Sequence, residues 1–155
     1  MENNHLAFLD LTTLENGTVL RGGCLVTDLE TNPMEFRCTA AIRPTELQRM
    51  LYGKKLIEYV CKDLVGIPIL EKIKIKPDIV LVRISEFLRL RPHGAIPIIF
   101  VEREQDKVRL QSHSNYRDEV SAATPLLMKI DDINEPFTRV QNALLEAHRL
   151  KVGDK

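Results

Sequence analysis

The sequence predicts a single α/β domain built on a mixed sheet. Three observations predict it: the chain opens with three strand patterns separated by turn signals, continues with a long helical pattern, and then shows a short, wholly apolar run typical of a buried strand. We therefore expect an antiparallel three-stranded start, a crossover helix, a parallel strand, a later hairpin and a C-terminal helix. A length of 155 residues fits one domain, so residues 1–155 are taken as one unit.

The three opening strands are predicted within the first 42 residues. Residues 6–11 are apolar on both alternating faces apart from Asp10, which is typical of a central strand. The second strand, 18–27, contains the glycine pair 22–23, which predicts a bulge or the close approach of another backbone. The third strand, 34–42, alternates apolar and polar residues.

A long helix is predicted after the third strand. Thr45 is its expected N-cap, and residues 66–68, Gly-Ile-Pro, are expected to stop it before a further short helix over 68–75. Gly53 predicts a kink or a split into two shorter helices. The apolar residues at helical spacing are Leu47, Met50, Leu51, Ile57, Val60, Cys61, Leu64 and Val65.

The remaining elements alternate between strand and helix. Residues 79–82 read as a buried strand reached by a crossover, hence parallel to the first sheet strands. Residues 96–103 and 107–112 read as a hairpin. Residues 87–92 carry more apolar side chains than a free loop needs, so they either cover the sheet edge or dock a partner.

The last third of the chain ends in a helix that opens near Glu135. Its apolar face is expected to contain Phe137, Val140, Leu144 and Ala147. Residues 113–134 read as a polar loop with a short helix over 118–123.

Composition and charge bound the function. With 22 basic and 22 acidic residues the net charge is zero, which argues against a protein whose main task is to bind nucleic acid or an acidic membrane. Nucleic acid remains a possible partner, but the net charge does not support it. The basic residues concentrated in 71–112 form either a solvated surface or a phosphate-facing patch. We find neither a spanning segment nor an export signal in the sequence, so we expect a cytoplasmic protein with no membrane partner.

The usual catalytic and metal-binding signatures are missing from the sequence. Cys24, Cys38 and Cys61 are widely spaced and fall in apolar patterns, so buried inert thiols are expected, with a catalytic thiol as the alternative. The four histidines are scattered, so a zinc site would have to be assembled from distant segments.

Asp10 is the most informative single residue, because a carboxylate within an apolar strand loses solvation unless it is paired or bound to a cation. Three interpretations stay open. Its carboxylate accepts backbone hydrogen bonds from Thr12 or Thr13 as the strand ends, or it binds a metal, or it forms a buried ion pair with Arg21 or Arg37.

The order of elements, together with an aspartate on the first strand, resembles the start of the ribonuclease H-like superfamily over residues 5–83. The resemblance implies carboxylates on the first strand, the first helix and the end of the fourth strand that bind magnesium for phosphoryl transfer. Asp10 and Glu46 match the first two positions as metal ligands and catalytic residues. At the third position Arg83 stands in the strand, with Glu86 beyond it as the candidate acid.

Two hypotheses of function follow. The first is a non-catalytic protein-interaction domain or assembly subunit, without a cofactor, that binds a protein partner or further copies of itself. Its candidate contact surface comprises Tyr52, Lys54, Lys55, Arg89 and Arg91. The alternative is a magnesium-dependent nuclease or related phosphoryl-transfer enzyme that uses Asp10, Glu46 and Glu86. Fold alone does not choose between them.

Overall fold

The computed structural model describes residues 4–154, which form a six-stranded mixed sheet with helices on both faces. The strands are β1 (Leu6–Leu14), β2 (Val19–Thr27), β3 (Pro33–Cys38), β4 (Ile79–Val82), β5 (Ile98–Glu104) and β6 (Lys107–Gln111). The α-helices are α1 (Glu46–Tyr52), α2 (Leu56–Tyr59), α3 (Ile67–Lys72), α4 (Asp118–Leu127) and α5 (Glu135–Arg149). Within residues 4–154 no helix has the length and apolar character needed to cross a membrane.

The strand order is β3-β2-β1-β4-β5-β6. β1 pairs antiparallel with β2 and parallel with β4, and β5 pairs parallel with β4 and antiparallel with β6. The predicted fold class is therefore confirmed, including the antiparallel start, the parallel crossover strand and the later hairpin.

Two apolar cores lie on opposite faces of the sheet. On one face, Ala7, Leu9 and Leu11 of β1 pack against the helical stretch between β3 and β4 and against a 3-10 segment, Ser85–His93. That segment buries Phe87, Leu88 and Leu90, so the covering role is the one observed. On the other face, Leu6 and Phe8 pack against α4 and α5, where the predicted apolar face of α5 is confirmed.

The stretch between β3 and β4 is a helix that changes type along its length. A 3-10 turn at Gly53–Lys55 separates α1 from α2, and a π-helical segment, Val60–Gly66, separates α2 from α3. Gly53 has a φ of 54°, so the split predicted at this glycine is confirmed. The predicted stop at 66–68 is wrong, because Gly66 keeps helical dihedral angles (φ −64°, ψ −57°) and Pro68 is accommodated in the first turn of α3, directly after the π-helical segment.

Two strand predictions also need correction. β3 ends at Cys38, and Ile42 joins the sheet only through an isolated bridge to Leu20. The glycine pair 22–23 keeps regular pairing with β1, and the irregularity of β2 lies at Val26/Thr27. The glycines instead admit two side chains that a Cβ would displace, Val65 on one face and Leu144 on the other. They let helices from both layers approach the sheet closely.

Candidate functional site

Asp10, Arg83 and Gln141 form a polar cluster, called here the Asp10 cluster, inside the layer between the sheet and α5. Side chains alternate along a strand, so Asp10 points to the same face as Leu6 and Phe8, which is the face that α5 covers. Arg83 directly follows β4, the parallel neighbour of β1. The register of the two strands therefore brings an aspartate and an arginine to one end of the sheet.

Both carboxylate oxygens of Asp10 accept hydrogen bonds from the protein. Oδ1 accepts from the backbone N–H of Leu11 at 3.0 Å. Oδ2 accepts from Nη2 of Arg83 at 2.8 Å and from Nε2 of Gln141 at 2.9 Å. The guanidinium of Arg83 also lies over the ring of Phe137, 4.7 Å from its centroid. Asp10 is 2% exposed, so the charge that compensates its carboxylate is supplied within the fold.

This geometry corrects the expected partners of Asp10. The ion pair forms with Arg83, and not with Arg21 or Arg37, because Arg83 extends from the neighbouring parallel strand. The backbone donor is Leu11, and not Thr12 or Thr13, because β1 continues to Leu14 without ending near Asp10. Sequence reasoning missed Gln141, although its position between Phe137 and Leu144 on the buried stripe of α5 was a usable signal.

The donor set around Asp10 does not fit a magnesium ion. Magnesium prefers oxygen ligands. Here the Oδ2 atom of Asp10 already accepts hydrogen bonds from the guanidinium of Arg83 and the side-chain amide of Gln141. Glu46 is exposed at the start of α1, and Glu86 lies in the 3-10 segment after β4. Within residues 4–154 no three histidine, cysteine or acidic side chains gather in a way that could hold a metal.

A second cluster, which the sequence did not predict, is centred on the buried Arg21 and holds the C-terminal residues. Arg21 is fully buried, and its Nε donates to Nδ1 of His148 at 2.9 Å. Its Nη1 donates to the carbonyls of Thr39 and Val152, and its Nη2 pairs with Asp154 at 2.8 Å. The backbone N–H of Ala41 is the main cause of the lowered pKa of the Asp154 carboxyl. The cluster therefore ties the end of α5 to β2.

Residues 46–55, called here the α1 surface, carry three of the four most exposed large apolar side chains within residues 4–154. No residue of α1 or of the following 3-10 turn is buried. Leu47, Met50 and Leu51 are 64%, 77% and 76% exposed. Lys54 and Lys55 lie beside them, also exposed. A contiguous group of large apolar side chains in solvent is unusual on a monomeric protein and marks interaction sites.

Although it buries nothing, α1 is held in a defined place. Thr45 and Gln48 form a reciprocal capping box, with bonds of 3.1 and 2.9 Å. Nη2 of Arg49 donates to the carbonyls of Gly17 and Thr18 in the turn between β1 and β2. The hydrogen bonds to this turn fix the direction in which the helix presents its apolar residues.

Of the other residues of the predicted contact surface, Tyr52 lies within the α1 surface, whereas Arg89 and Arg91 lie in the 3-10 segment after β4. Tyr52 stacks on Tyr59 with ring centroids 4.6 Å apart, so it lines the edge of the α1 surface. Arg89 is exposed and pairs with Glu58 at 3.5 Å. Arg91 is largely buried: its Nε bonds both oxygens of Glu119 at 2.9 Å, which ties the 3-10 segment to α4.

A groove of about 560 Å³ lies between the β5–β6 hairpin and the loop that joins α4 to α5. We call it the acidic groove. Its apolar wall includes Val108, Leu110, Leu127, Met128, Ile130 and Ile133, and its charged residues are Asp106, Asp131, Asp132 and Arg103. With three carboxylates and one guanidinium, the lining of this groove carries a net negative charge.

Comparison with known proteins gives little. No protein family matches the chain, and no curated protein matches it. Among solved structures, the chain is similar to the crystal structure of endonuclease V from Bacillus subtilis, with 19% sequence identity and a TM-score of 0.40. The match covers 67% of this chain and 46% of that one, so this chain spans less than half of that protein. A likeness at this level assigns neither a family nor an activity.

Proposed function

We propose that this chain is a non-catalytic interaction domain that docks a protein partner through the α1 surface. The observation that carries the proposal is the contrast within α1: three large apolar side chains are in solvent on a helix that buries none of its own residues and is nevertheless capped and tied to the β1–β2 turn. Folding leaves this apolar face in solvent, so its burial against a partner would contribute favourable free energy to binding.

The Asp10 cluster supports the non-catalytic part of the proposal. Asp10 lies just beyond the last parallel pair of β1 and β4, and its carboxylate already accepts hydrogen bonds at both oxygens and is neutralised by Arg83. Such a pair holds α5 and β4 to β1. It leaves Asp10 without a free oxygen with which to position a substrate or an ion.

The charges beside α1 define the chemistry of the partner. Within residues 4–154 no carboxylate lies within ion-pair distance of Lys54 or Lys55. Unpaired charges beside an apolar face favour a partner surface that is apolar at its centre and acidic at its rim. A helix that presents one apolar face to such a groove is a recurring mode of protein recognition.

The proposal is tested by site-specific photocrosslinking. A benzophenone side chain placed at Met50 is compared with the same group at Lys72, an exposed position on α3. We expect a discrete adduct from position 50 only, formed with the purified chain or in an extract of the source cells. The protein in the adduct is then purified, and its affinity is measured for the wild type, for Leu51→Glu and for Lys72→Glu as a control.

We expect Leu51→Glu to weaken binding by at least about tenfold, because it places a charge in the centre of the contact. Leu51 is exposed, so this variant should unfold at the temperature of the wild type, within a degree or two. Equal affinity of Leu51→Glu and Lys72→Glu, or no adduct specific to position 50 in either setting, would overturn the proposal.

A further inference from the structure

We propose that the partner of the α1 surface is the acidic groove of a second copy of this chain, so that copies associate head to tail. The inference rests on the proposed function and adds the identity of the partner. Its two halves, a basic apolar helix and an acidic apolar groove, are both present on the same molecule.

The groove has the size and lining that the α1 surface requires. A dry cavity of roughly 150 Å³ holds one benzene-sized group, so about 560 Å³ accommodates the side chains of Leu47, Met50 and Leu51 together. The groove also exposes Met128, which is 79% in solvent. Methionine is flexible and adapts to the shape of an incoming apolar side chain.

The charges of the two surfaces are opposite and unsatisfied. Within residues 4–154 no cationic side chain lies within ion-pair distance of Asp106 or Asp131, just as no carboxylate pairs with Lys54 or Lys55. Asp132 differs, because its carboxylate accepts from the backbone N–H of Asn134 at 3.0 Å. Placing α1 in the groove would bring two unpaired ammonium groups to two unpaired carboxylates.

The two surfaces belong to different elements, so their contact is heterologous. α1 is tied to the β1–β2 turn, whereas the groove lies beside β6, the last strand of the sheet. Each association through this contact leaves one α1 surface and one groove available at the ends. A short helix in a groove gives a small interface, so we expect affinity in the range of roughly 10–100 μM.

Charge reversal tests the pairing of the two surfaces. We compare the wild type with Lys54→Glu/Lys55→Glu, with Asp106→Lys/Asp131→Lys, and with the quadruple variant that carries both exchanges. Lys72→Glu/Lys76→Glu is the matched control, since it makes the same charge change at exposed lysines outside both surfaces. Weight-average mass is measured by sedimentation from about 5 to 500 μM, and circular dichroism confirms that each variant is folded.

For the wild type and the control we expect the mass to rise with concentration above the 17.7 kDa of one chain. Each double variant should associate at least about tenfold more weakly, and the quadruple variant should regain association because the charges are again opposite. Raising the salt to 0.5 M should weaken the wild-type association several-fold.

Three results would overturn the inference: a wild type that stays monomeric at every concentration, double variants that associate like the wild type, or a folded quadruple variant that does not regain association. A monomeric wild type whose benzophenone at position 50 still captures a different protein would overturn self-association alone and leave the proposed function standing. A monomeric wild type that also gives no adduct specific to position 50 would overturn both the self-association and the proposed function.

Discussion

Replacing Arg83 by methionine removes the cation that compensates Asp10 and keeps much of the side-chain volume. Two contacts of Arg83 set the expected loss, and its partial exposure reduces it. The charged hydrogen bond to Oδ2 at 2.8 Å contributes about 1.5–3 kcal/mol, and the contact of the guanidinium with Phe137 adds roughly 0.5–1 kcal/mol. The Arg83 side chain is one-third exposed, so water partly replaces it and reduces the sum. We expect Arg83→Met to lower the free energy of unfolding by about 2–3 kcal/mol.

The assay is urea unfolding followed by circular dichroism for the wild type, Arg83→Met, Asp10→Asn and the double variant. Most of the loss in Arg83→Met comes from leaving a buried carboxylate uncompensated, and an asparagine at position 10 removes that charge. The double variant should therefore be more stable than Arg83→Met, with a coupling of about 1 kcal/mol or more between the two sites. A loss below about 0.5 kcal/mol for Arg83→Met, or strictly additive effects, would refute the assignment of Arg83 as the partner that neutralises Asp10.

Three further predictions concern metal ions, thiols and acid stability. Because both oxygens of Asp10 are already bonded, millimolar magnesium or manganese should leave the melting temperature of the wild type and of Asp10→Asn unchanged within about a degree; a rise in the wild type that Asp10→Asn abolishes would restore the nuclease hypothesis. Burial raises the pKa of the Cys24 and Cys61 thiols to about 12 each, so a thiol reagent at pH 8 should label half-buried Cys38 first; rapid labelling of either other thiol in the native state would contradict this. The backbone N–H of Ile75 is the largest cause of the lowered pKa of Glu35, so the stability that Glu35 confers is present above its unfolded pKa, near 4.5, and is lost as the pH falls through the lower folded value. Glu35→Gln should be about 1–2 kcal/mol less stable at pH 7 and should lose less stability between about pH 5 and 3 in urea titrations; an acid slope equal to that of the wild type would assign the effect to other carboxyls.

The elements that the sequence predicted well are those set by local pattern. β4 was predicted at its observed bounds, because a short apolar run between a crossover helix and a polar turn has few other structures open to it. The start of α5 and its buried face were also predicted, since proline in the first turn and apolar residues at helical spacing are both local signals.

Contacts across the chain could not be predicted in the same way. Asp10 was recognised as a residue that needs a partner, but its partners stand 73 and 131 residues away, and the choice of Arg83 over Arg21 depends on strand order. The hydrophobic pattern also did not predict that Leu47, Met50 and Leu51 are exposed, because apolar residues at this spacing are typical of a helix packed on a core. The break at Gly53 interrupts the helix, so the apolar stripe of α1 does not continue onto the buried face of the residues that follow.

The arginines beneath α5 pair with acids, whereas in the part of the chain that the structure describes the two lysines beside α1 do not. Arg83 and Arg21 lie in the layer between the sheet and α5, where each bonds an acid and helps hold α5 to the sheet. The ammonium groups of Lys54 and Lys55 lie outside and make no such bond within residues 4–154. Because α1 is capped and tied to the β1–β2 turn without any partner, docking would order little additional backbone. The strength of docking should then follow the apolar and charged contacts themselves, which is why charge exchange at two surfaces is expected to remove and then restore it.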